Sequence, residues 1–284
     1  MAYLELHDVG FTYPNGFTAV EHVSMSFELG QAVAIIGQNG AGKTTTVKLM
    51  NGLLKPTHGT VIVDGESTAD LHTAQIACKV GYVFQNPNDQ IFQDSVRKEI
   101  AYGLVKRKES RESIDAKVAE AAECCGLSDE LDTHPYDLPF SMRKFVTIAA
   151  TMVMDPKVLI LDEPTAGQDR RGTERLGRLI DHVTKDGKTV ITITHDMEFV
   201  SREFKRGIVM ANRRMLLDAP ISDIFWNDGV LAQANLKRPY IAQLAEARGL
   251  RGVLSIEDLL AYDTDSPASD SVGASEADDG RESR

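Results

Sequence analysis

The sequence has no long hydrophobic run and no excess of basic residues, and it contains only three cysteines among 284 residues. No apolar run approaches the roughly 18 residues that a membrane-spanning helix needs. The N-terminus carries acidic residues early and lacks the basic and then apolar pattern of a signal peptide. We therefore expect a protein that stays in the cytosol unless a partner recruits it to a membrane.

The small number of cysteines and the excess of acidic over basic residues argue against two classes of protein. Cys124 and Cys125 are adjacent and Cys78 is distant, so neither a disulfide framework nor a cysteine metal site is expected. The net charge of −11 argues against a nucleic-acid partner. Much of this charge lies in residues 263–284, which have almost no apolar side chains. We predict a disordered acidic tail there, with a recruitment site as the alternative.

Short apolar runs alternate with helical patterns along most of the chain. Ala32–Ile36, Lys157–Asp162 and the run before His195 are typical of strands buried on both faces. A helix-rich stretch interrupts them between about residues 95 and 154. This order predicts an α/β fold with a mixed sheet over residues 1–218, a helical subdomain at about residues 86–155, and a small helical extension at residues 219–262.

The segment that follows the first buried strand matches the phosphate-binding pattern G-x4-G-K-[ST]. Its glycines let backbone N–H groups point at phosphate oxygens, and the following helix begins with a favourable dipole. The lysine would reach the β- and γ-phosphates of ATP, and the first threonine would bind Mg²⁺. The predicted nucleotide-binding residues of this P-loop NTPase core are Gly37, Asn39, Gly40, Ala41, Gly42, Lys43, Thr44 and Thr45.

Two further strands end in residues suited to ATP hydrolysis. VLILDEP ends in Asp162, whose carboxylate would bind Mg²⁺, and in Glu163, which would orient or deprotonate the attacking water. The next buried strand ends at His195, where an imidazole could stabilise charge on the γ-phosphate. An isolated acidic pair or histidine is usually only solvated. The phosphate-binding pattern upstream favours the catalytic interpretation.

Together these motifs resemble the ABC ATPase family over residues 1 to about 218. The resemblance implies that Tyr13 stacks on adenine, with a core or turn tyrosine as the alternative. It also implies that Gln85 links Mg²⁺ and the attacking water to a membrane partner. Asp169 matches the aspartate of the loop that crosses the dimer interface, although Gln168 stands where leucine is usual.

Two segments resemble one group within that family, the energy-coupling-factor (ECF) importers of vitamins and of cobalt or nickel. They are the glutamine-loop region Val83–Gly103 and the C-terminal stretch Asp218–Leu250. The resemblance implies a peripheral ATPase at the cytoplasmic face of the cell membrane, with a transmembrane coupling subunit and a substrate-binding membrane subunit as partners. An ATPase of another importer, a non-transport ABC ATPase and a non-hydrolysing regulatory module are the alternatives.

One motif departs from the family pattern. The signature L-S-G-G-Q falls at Leu138–Met142, which reads LPFSM. In the family, this serine hydroxyl and the glycine N–H groups contact ATP held on the opposite subunit. Pro139 supplies neither a hydroxyl nor an N–H group, and Phe140 is bulky where glycine is needed. We therefore expect a heterodimer with a second ABC ATPase subunit that has an intact signature. The alternative is that LPFSM still works.

The loop after Gln85 is the expected docking surface for the transmembrane partner. Residues 86–95 leave the nucleotide site and then turn outward in this interpretation. Changes at Asp89 or Gln90 are expected to spare ATP binding and to uncouple transport.

Overall fold

Residues 2–265 are the part of the chain that the computed structural model describes, and their strands form two sheets. In chain order the strands are β1 (Leu4–Thr12), β2 (Thr18–Phe27), β3 (Ala32–Ile36), β4 (His58–Val63), β5 (Glu66–Ser67), β6 (Val80–Val83), β7 (Val158–Asp162), β8 (Thr189–Ile193), β9 (Arg206–Ala211) and β10 (Arg214–Pro220). The helices of the same residues are α1 (Lys43–Met50), α2 (Thr73–Lys79), α3 (Val96–Lys106), α4 (Arg111–Cys125), α5 (Phe140–Met152), α6 (Arg170–Lys185), α7 (Met197–Glu203), α8 (Ile221–Phe225), α9 (Asp228–Ala234), α10 (Tyr240–Ala247) and α11 (Ile256–Asp265).

The larger sheet has the strand order β10-β9-β3-β8-β7-β6. Its strands pair in parallel except for β10, which pairs antiparallel with β9. Every residue of β7 and β8 is buried, as expected for strands covered on both faces. The predicted α/β class is confirmed. Because β3, β8 and β7 are neighbours and run in the same direction, their carboxyl ends meet at one edge.

Separate apolar clusters cover the two faces of this sheet. Val33 and Ile35 of β3 belong to the cluster that fills the space toward the second sheet and α1. Ala34 and Ile36 belong to the other cluster, which contains buried side chains of α3 to α9. Alternation along one strand therefore anchors both layers to the same backbone, and the site at its carboxyl end lies on a rigid support.

The second sheet is antiparallel, with the order β2-β1-β4-β5. The pairing of β1 with β2 and with β4 is interrupted by bulges near Asp8. Asp8 and His22 have left-handed φ angles of 49° and 50° at these irregularities. Gly59 completes the distortion, because a Cβ atom there would lie 2.2 Å from the Asp8 carbonyl oxygen. Beyond these bulges β1 continues to Thr12.

Helices α3, α4 and α5 form an insertion between β6 and β7. Ser95 and Ser110 cap α3 and α4 by accepting backbone N–H groups, and Gly126 ends α4 in the left-handed region. The three helices pack together through residues that include Ile100, Val118 and Phe145. α5 is the innermost, since most of its middle turns are buried. It leads back to β7 and to the edge of the larger sheet.

The C-terminal helices form a small cluster of their own around Ala245, Val253 and Leu259. Trp226 lies beside it with the guanidinium groups of Arg238 and Arg251 over its ring. The last helix, α11, continues to Asp265 and so enters the segment predicted as a tail, while residues 266–284 lie outside the described residues. No helix in the described part is long and apolar enough for a bilayer.

Candidate functional site

The loop between β3 and α1 has a backbone that only glycine can adopt at two positions. Gly37 and Gly42 have φ angles of 150° and 98°. A Cβ atom at Gly37 would lie 2.0 Å from the Met210 carbonyl oxygen, and one at Gly42 would lie 2.5 Å from the Ala19 carbonyl oxygen. α1 begins directly afterwards at Lys43. This curled loop before a helix N-terminus has the form of a phosphate-binding site.

The Lys43 ammonium group is almost fully buried inside this loop. Its Nζ atom donates to the carbonyl oxygens of Gly37 at 2.7 Å and of Gln38 at 3.0 Å. Burial lowers the pKa of Lys43, and the carboxylates of Glu163 and Asp162 oppose that change. A buried cation that has only carbonyl partners is well suited to exchange them for phosphate oxygens. Asn39, Gly40, Thr44 and Thr45 line the same cleft, and Ala41 is buried beneath it.

Asp162 lies at the carboxyl end of β7 and is 2% exposed. The Tyr82 hydroxyl donates to its Oδ2 atom at 2.7 Å, whereas Oδ1 has no hydrogen-bond partner among the described residues. Burial raises the pKa of the Asp162 carboxyl, and the hydroxyl groups of Tyr82 and Thr44 partly offset this. A buried oxygen without a partner beside a threonine hydroxyl fits a hard divalent cation such as Mg²⁺.

Glu163 and His195 form a pair at the same edge. The His195 Nδ1 atom lies 2.8 Å from the Glu163 Oε2 atom. Glu163 is 7% exposed, while the side chain of His195 is 70% exposed and so remains open to solvent. Glu163 has a left-handed φ angle of 49°, a conformation that costs free energy for a residue with a side chain. Its backbone N–H group donates to the Ile193 carbonyl oxygen at 2.8 Å.

Lys144 is the residue of this site that the sequence reasoning missed. It lies on α5, is 2% exposed, and its Nζ atom donates to the carbonyl oxygen of Glu163. Burial lowers the pKa of Lys144 to about 8, and the carboxylates of Glu163 and Asp162 oppose the change. A lysine in the mostly apolar run after LPFSM was the available signal. Lys144 thus holds the carbonyl group of the strained Glu163 backbone, while Ile193 holds its N–H group.

We expect Lys144→Met to change how stability depends on pH. The pKa is about 8 in the folded chain and 10.5 by default, so the unfolded chain binds more protons between these values. Wild-type stability should therefore rise with pH across this window, and the methionine variant should lack that rise. Between pH 8 and 9.5 the free energy of unfolding should rise by about 2 kcal/mol more in wild type than in the methionine variant, as measured by urea unfolding. Lys157→Met, at an exposed lysine, should behave as wild type. Parallel pH profiles for Lys144→Met and wild type would contradict the prediction.

Gln85 follows β6 and is exposed at the junction of two clefts. One cleft is also lined by Lys43 and Glu163, and the other by Asp162. Thr44 lines both clefts with it. The structure thus brings Gln85 together with the residues predicted to bind the metal ion and the phosphates.

Tyr13 adjoins the nucleotide cleft but is not among the residues that line it. Its hydroxyl is 3.2 Å from the Thr45 Oγ1 atom, and its ring packs edge-on against Phe11 at 4.8 Å. Phe17 lines the cleft instead, with 49% exposure and the Arg213 guanidinium 5.0 Å from its ring centre. The role of Tyr13 in stacking on adenine stays a prediction. Phe17 is a second aromatic that the sequence reasoning did not select.

The LPFSM segment leads into α5, whose first turn begins at Phe140. Pro139 occupies the N-cap position without a side-chain cap, and the Phe140 ring is 43% exposed beside Gly167. The Ser141 carbonyl oxygen accepts from the Gln168 side chain at 3.0 Å. Asp169 caps α6 by accepting the Gly172 N–H group at 2.7 Å. The start of α5 therefore presents an apolar ring at Phe140 and has no N–H group or hydroxyl at Pro139.

Comparisons with known proteins agree with this geometry. A family model described as ABC transporter matches residues 20–166, which include the phosphate loop, α5 and Glu163. The energy-coupling factor transporter ATP-binding protein EcfA2 of Acetivibrio thermocellus is 39% identical over 228 residues, which are 80% of this chain and 81% of that protein. CbiO1 from Clostridium perfringens, described as part of the ABC transporter complex CbiONQ, has a TM-score of 0.75 and 33% identity, covering 86% of this chain and 99% of that chain. The dimeric ATP-binding cassette MJ0796, bound to ADP and Pi, has a TM-score of 0.71 and 26% identity, with 77% and 98% covered.

Proposed function

Because the chain belongs to the ABC transporter family and is an ATPase of that family, we propose that it energises an ECF-type importer of vitamins or transition-metal ions. The observation that carries this proposal is the meeting of Lys43, Asp162 and Glu163 at one sheet edge, in a chain similar to EcfA2 and to CbiO1. Its place would be the cytoplasmic face of the cell membrane, held there by membrane subunits.

In the proposed mechanism the phosphate loop binds ATP through its backbone N–H groups and Lys43. Thr44, Asp162 and Gln85 would hold Mg²⁺, which offsets charge on the phosphates when it is bound. Glu163 then orients or deprotonates the attacking water. His195 fixes the Glu163 carboxylate by the 2.8 Å contact and faces solvent where the γ-phosphate would lie. Tyr13, with Asn39, Gly40, Ala41, Gly42 and Thr45 of the loop, would complete the nucleotide site.

A pull-down tests the assignment to the ECF group. The full chain would be expressed with its native membrane fraction, and the membrane proteins that co-purify would be identified by mass spectrometry. We expect a transmembrane coupling subunit, a small substrate-binding membrane subunit and a second ATPase. Recovery of a two-subunit permease with a soluble binding protein would instead assign the chain to another ABC importer. Recovery of nucleic-acid enzymes would contradict a role in transport.

The partner ATPase follows from the altered signature. ABC ATPases work as dimers with transmembrane components, and MJ0796 is dimeric in its post-hydrolysis structure. In a dimer of two copies of this chain, Phe140 would face both ATP molecules. A second subunit with L-S-G-G-Q would instead give one efficient site, built on the Glu163 of this chain. The heterodimer proposal rests on the exposed Phe140 ring and on Pro139 at the N-cap.

The surface proposed to contact the transmembrane partner centres on Phe92. Its ring is 61% exposed and packs edge-on against Tyr102 at 4.6 Å. The buried carboxylate of Glu99 holds the loop in place, because it accepts hydrogen bonds from the N–H groups of Phe92 and Gln93 at 3.0 and 2.7 Å. An exposed aromatic pair on a fixed loop is a suitable anchor for a partner helix.

Gln90 points inward, so any effect of changes there on transport stays a prediction and would act through the shape of the loop. The Gln90 side chain accepts the Phe84 N–H group at 3.1 Å and donates to the Thr151 hydroxyl at 3.2 Å. Gln90 therefore fastens the loop to α5 and is unavailable to a partner. Asp89 is exposed but lines the cleft that contains Asp162, so charge reversal there would also disturb nucleotide binding.

We expect Phe92→Ala to uncouple the ATPase from its membrane partner. Loss of a central aromatic anchor typically costs about 2 kcal/mol of binding, or roughly 30-fold in affinity. ATP binding by the isolated subunit should not change, because Phe92 does not line the nucleotide clefts. Assembly and uptake would be measured in proteoliposomes, with Tyr240→Ala as the control at another exposed aromatic. Full uptake by the Phe92 variant would remove this loop from the mechanism.

A further inference from the structure

Three potential metal ligands converge on the antiparallel sheet, apart from the ATP site. Asp8 is on the central strand β1, His22 on the neighbouring strand β2, and His58 at the start of β4 on the other side. The His22 Nδ1 atom lies 2.8 Å from Asp8 Oδ1, and the His58 Nε2 atom lies 2.8 Å from Asp8 Oδ2. The ligand atoms of the three residues all lie within 4.8 Å of one another.

The backbone is distorted where this cluster forms. Asp8 and His22 both occupy the left-handed region, which costs free energy for residues other than glycine. The Asp8 N–H group donates to the Ser24 hydroxyl at 3.0 Å, and Gly59 leaves the space that the Asp8 backbone needs. Ligands supplied by neighbouring strands are held more rigidly than ligands on loops. The strain is thus localised at the residues that bring the three side chains together.

We propose that Asp8, His22 and His58 form a binding site for a borderline divalent transition-metal ion such as Zn²⁺, which ties β1, β2 and β4 together. Two imidazole nitrogens and one carboxylate oxygen are the donors that such ions prefer, while Mg²⁺ and Ca²⁺ prefer oxygen donors alone. All three side chains are more than half exposed, so water can complete the coordination shell.

The charge state of the cluster suits a cation. The hydrogen bonds from His22 and His58 hold the pKa of the Asp8 carboxyl below its usual range, so this carboxylate stays ionised. To bind a metal ion, the ring nitrogen that faces Asp8 must carry no proton, so each imidazole would bind as the neutral ring with its proton on the other ring nitrogen. Only small side-chain rotations are needed, because both rings already point at one carboxylate.

The site also lies next to a strand that reaches the nucleotide cleft. β2 connects His22 to Ala19, whose carbonyl oxygen would be 2.5 Å from a Cβ atom at Gly42. A metal ion at His22 would therefore stiffen the strand that closes one side of the phosphate loop. The expected primary effect is on the stability of the sheet, and this does not depend on which importer the ATPase serves.

Titration of the nucleotide-free full chain with Zn²⁺ tests the site. A Cys78→Ser background removes the exposed thiol as a competing ligand. We expect one Zn²⁺ ion per chain at this cluster and a higher melting temperature when Zn²⁺ is present. Any response to Mg²⁺, which the Asp162 site would bind, should be the same in the parent and in the His22 and His58 variants. His22→Asn and His58→Ala should each weaken Zn²⁺ binding by at least about 10-fold and abolish the thermal shift. Asparagine tolerates the left-handed backbone at position 22, so the first variant should stay folded.

His7→Asn is the matched control, since His7 is an exposed histidine of β1 that pairs with Glu5. It should bind Zn²⁺ as tightly as the parent. Melting without metal checks that every variant is folded. The proposal is overturned if the parent binds no Zn²⁺ saturably, or if the His22 and His58 variants bind it as tightly as the His7 variant.

Discussion

Glu163→Gln should leave ATP binding near normal and lower ATP turnover by at least about 10²–10³-fold. The amide has the shape of the carboxylate and can keep its contact with His195, so the buried pocket stays filled. It cannot accept a proton from the attacking water. We expect binding and hydrolysis to be affected separately, because Ile193 and Lys144 hold the backbone of Glu163 whatever the charge of its side chain.

The measurement compares ATPase rate and nucleotide affinity in the assembled complex. Lys43→Ala serves as the contrasting variant, since it removes the cation enclosed by the phosphate loop and should weaken binding itself. Glu174→Gln, on the exposed face of α6, is the matched control for a glutamate-to-glutamine change. Hydrolysis by Glu163→Gln at close to the parental rate would show that another group positions the water.

The purified chain alone should hydrolyse ATP slowly, and a partner with an intact signature should raise the rate by about 10²–10³-fold. The reason is the first turn of α5, where Pro139 and Phe140 replace a hydroxyl and a close-approaching backbone. Adding the partner would supply these donors to the ATP bound at Lys43 and Glu163 of this chain. The rate with and without the co-purified second ATPase measures the effect.

A restored signature provides the internal test of this explanation. The variant combines Pro139→Ser, Phe140→Gly, Ser141→Gly and Met142→Gln. Serine at the N-cap position favours the helix start, and the hydrogen bond from the Gln168 side chain needs only the backbone carbonyl of residue 141, so α5 should still form. We expect the restored chain to turn over ATP without a partner. Rapid ATP hydrolysis by the unmodified chain, with no higher rate in the restored variant, would contradict the heterodimer proposal.

The elements that carry local patterns could be predicted from the sequence. Runs of apolar and β-branched residues predicted β3, β7 and β8, and the glycine spacing of the phosphate loop predicted the start of α1. Strands that alternate with helices favour a parallel sheet. In such a sheet Asp162 and Glu163 lie at the same edge as the phosphate loop. These features depend on a few neighbouring residues and on chain topology, so short segments of the sequence are enough to predict them.

Side-chain direction within an element could not be predicted in the same way. Gln90 lies in a polar loop and Lys144 in a mostly apolar run, and tertiary contacts turn both side chains inward. Asp8, His22 and His58 come together although 14 and 50 residues separate the two histidines from the aspartate. Such groupings are decided by bulge geometry and strand register, which periodicity does not report.

Helix α5 links three parts of the molecule that act at different places. Its first turn bears Phe140, its second places Lys144 against Glu163, and its last holds Gln90 through Thr151. The helix is about 20 Å long and moves as one rigid element, so a displacement of one end also moves the other end. In the proposed dimer, a displacement of the 86–95 loop by the membrane subunit would therefore reach both Glu163 of this chain and the ATP bound to the partner ATPase. The two ATP sites would then respond to the membrane subunit together and not independently.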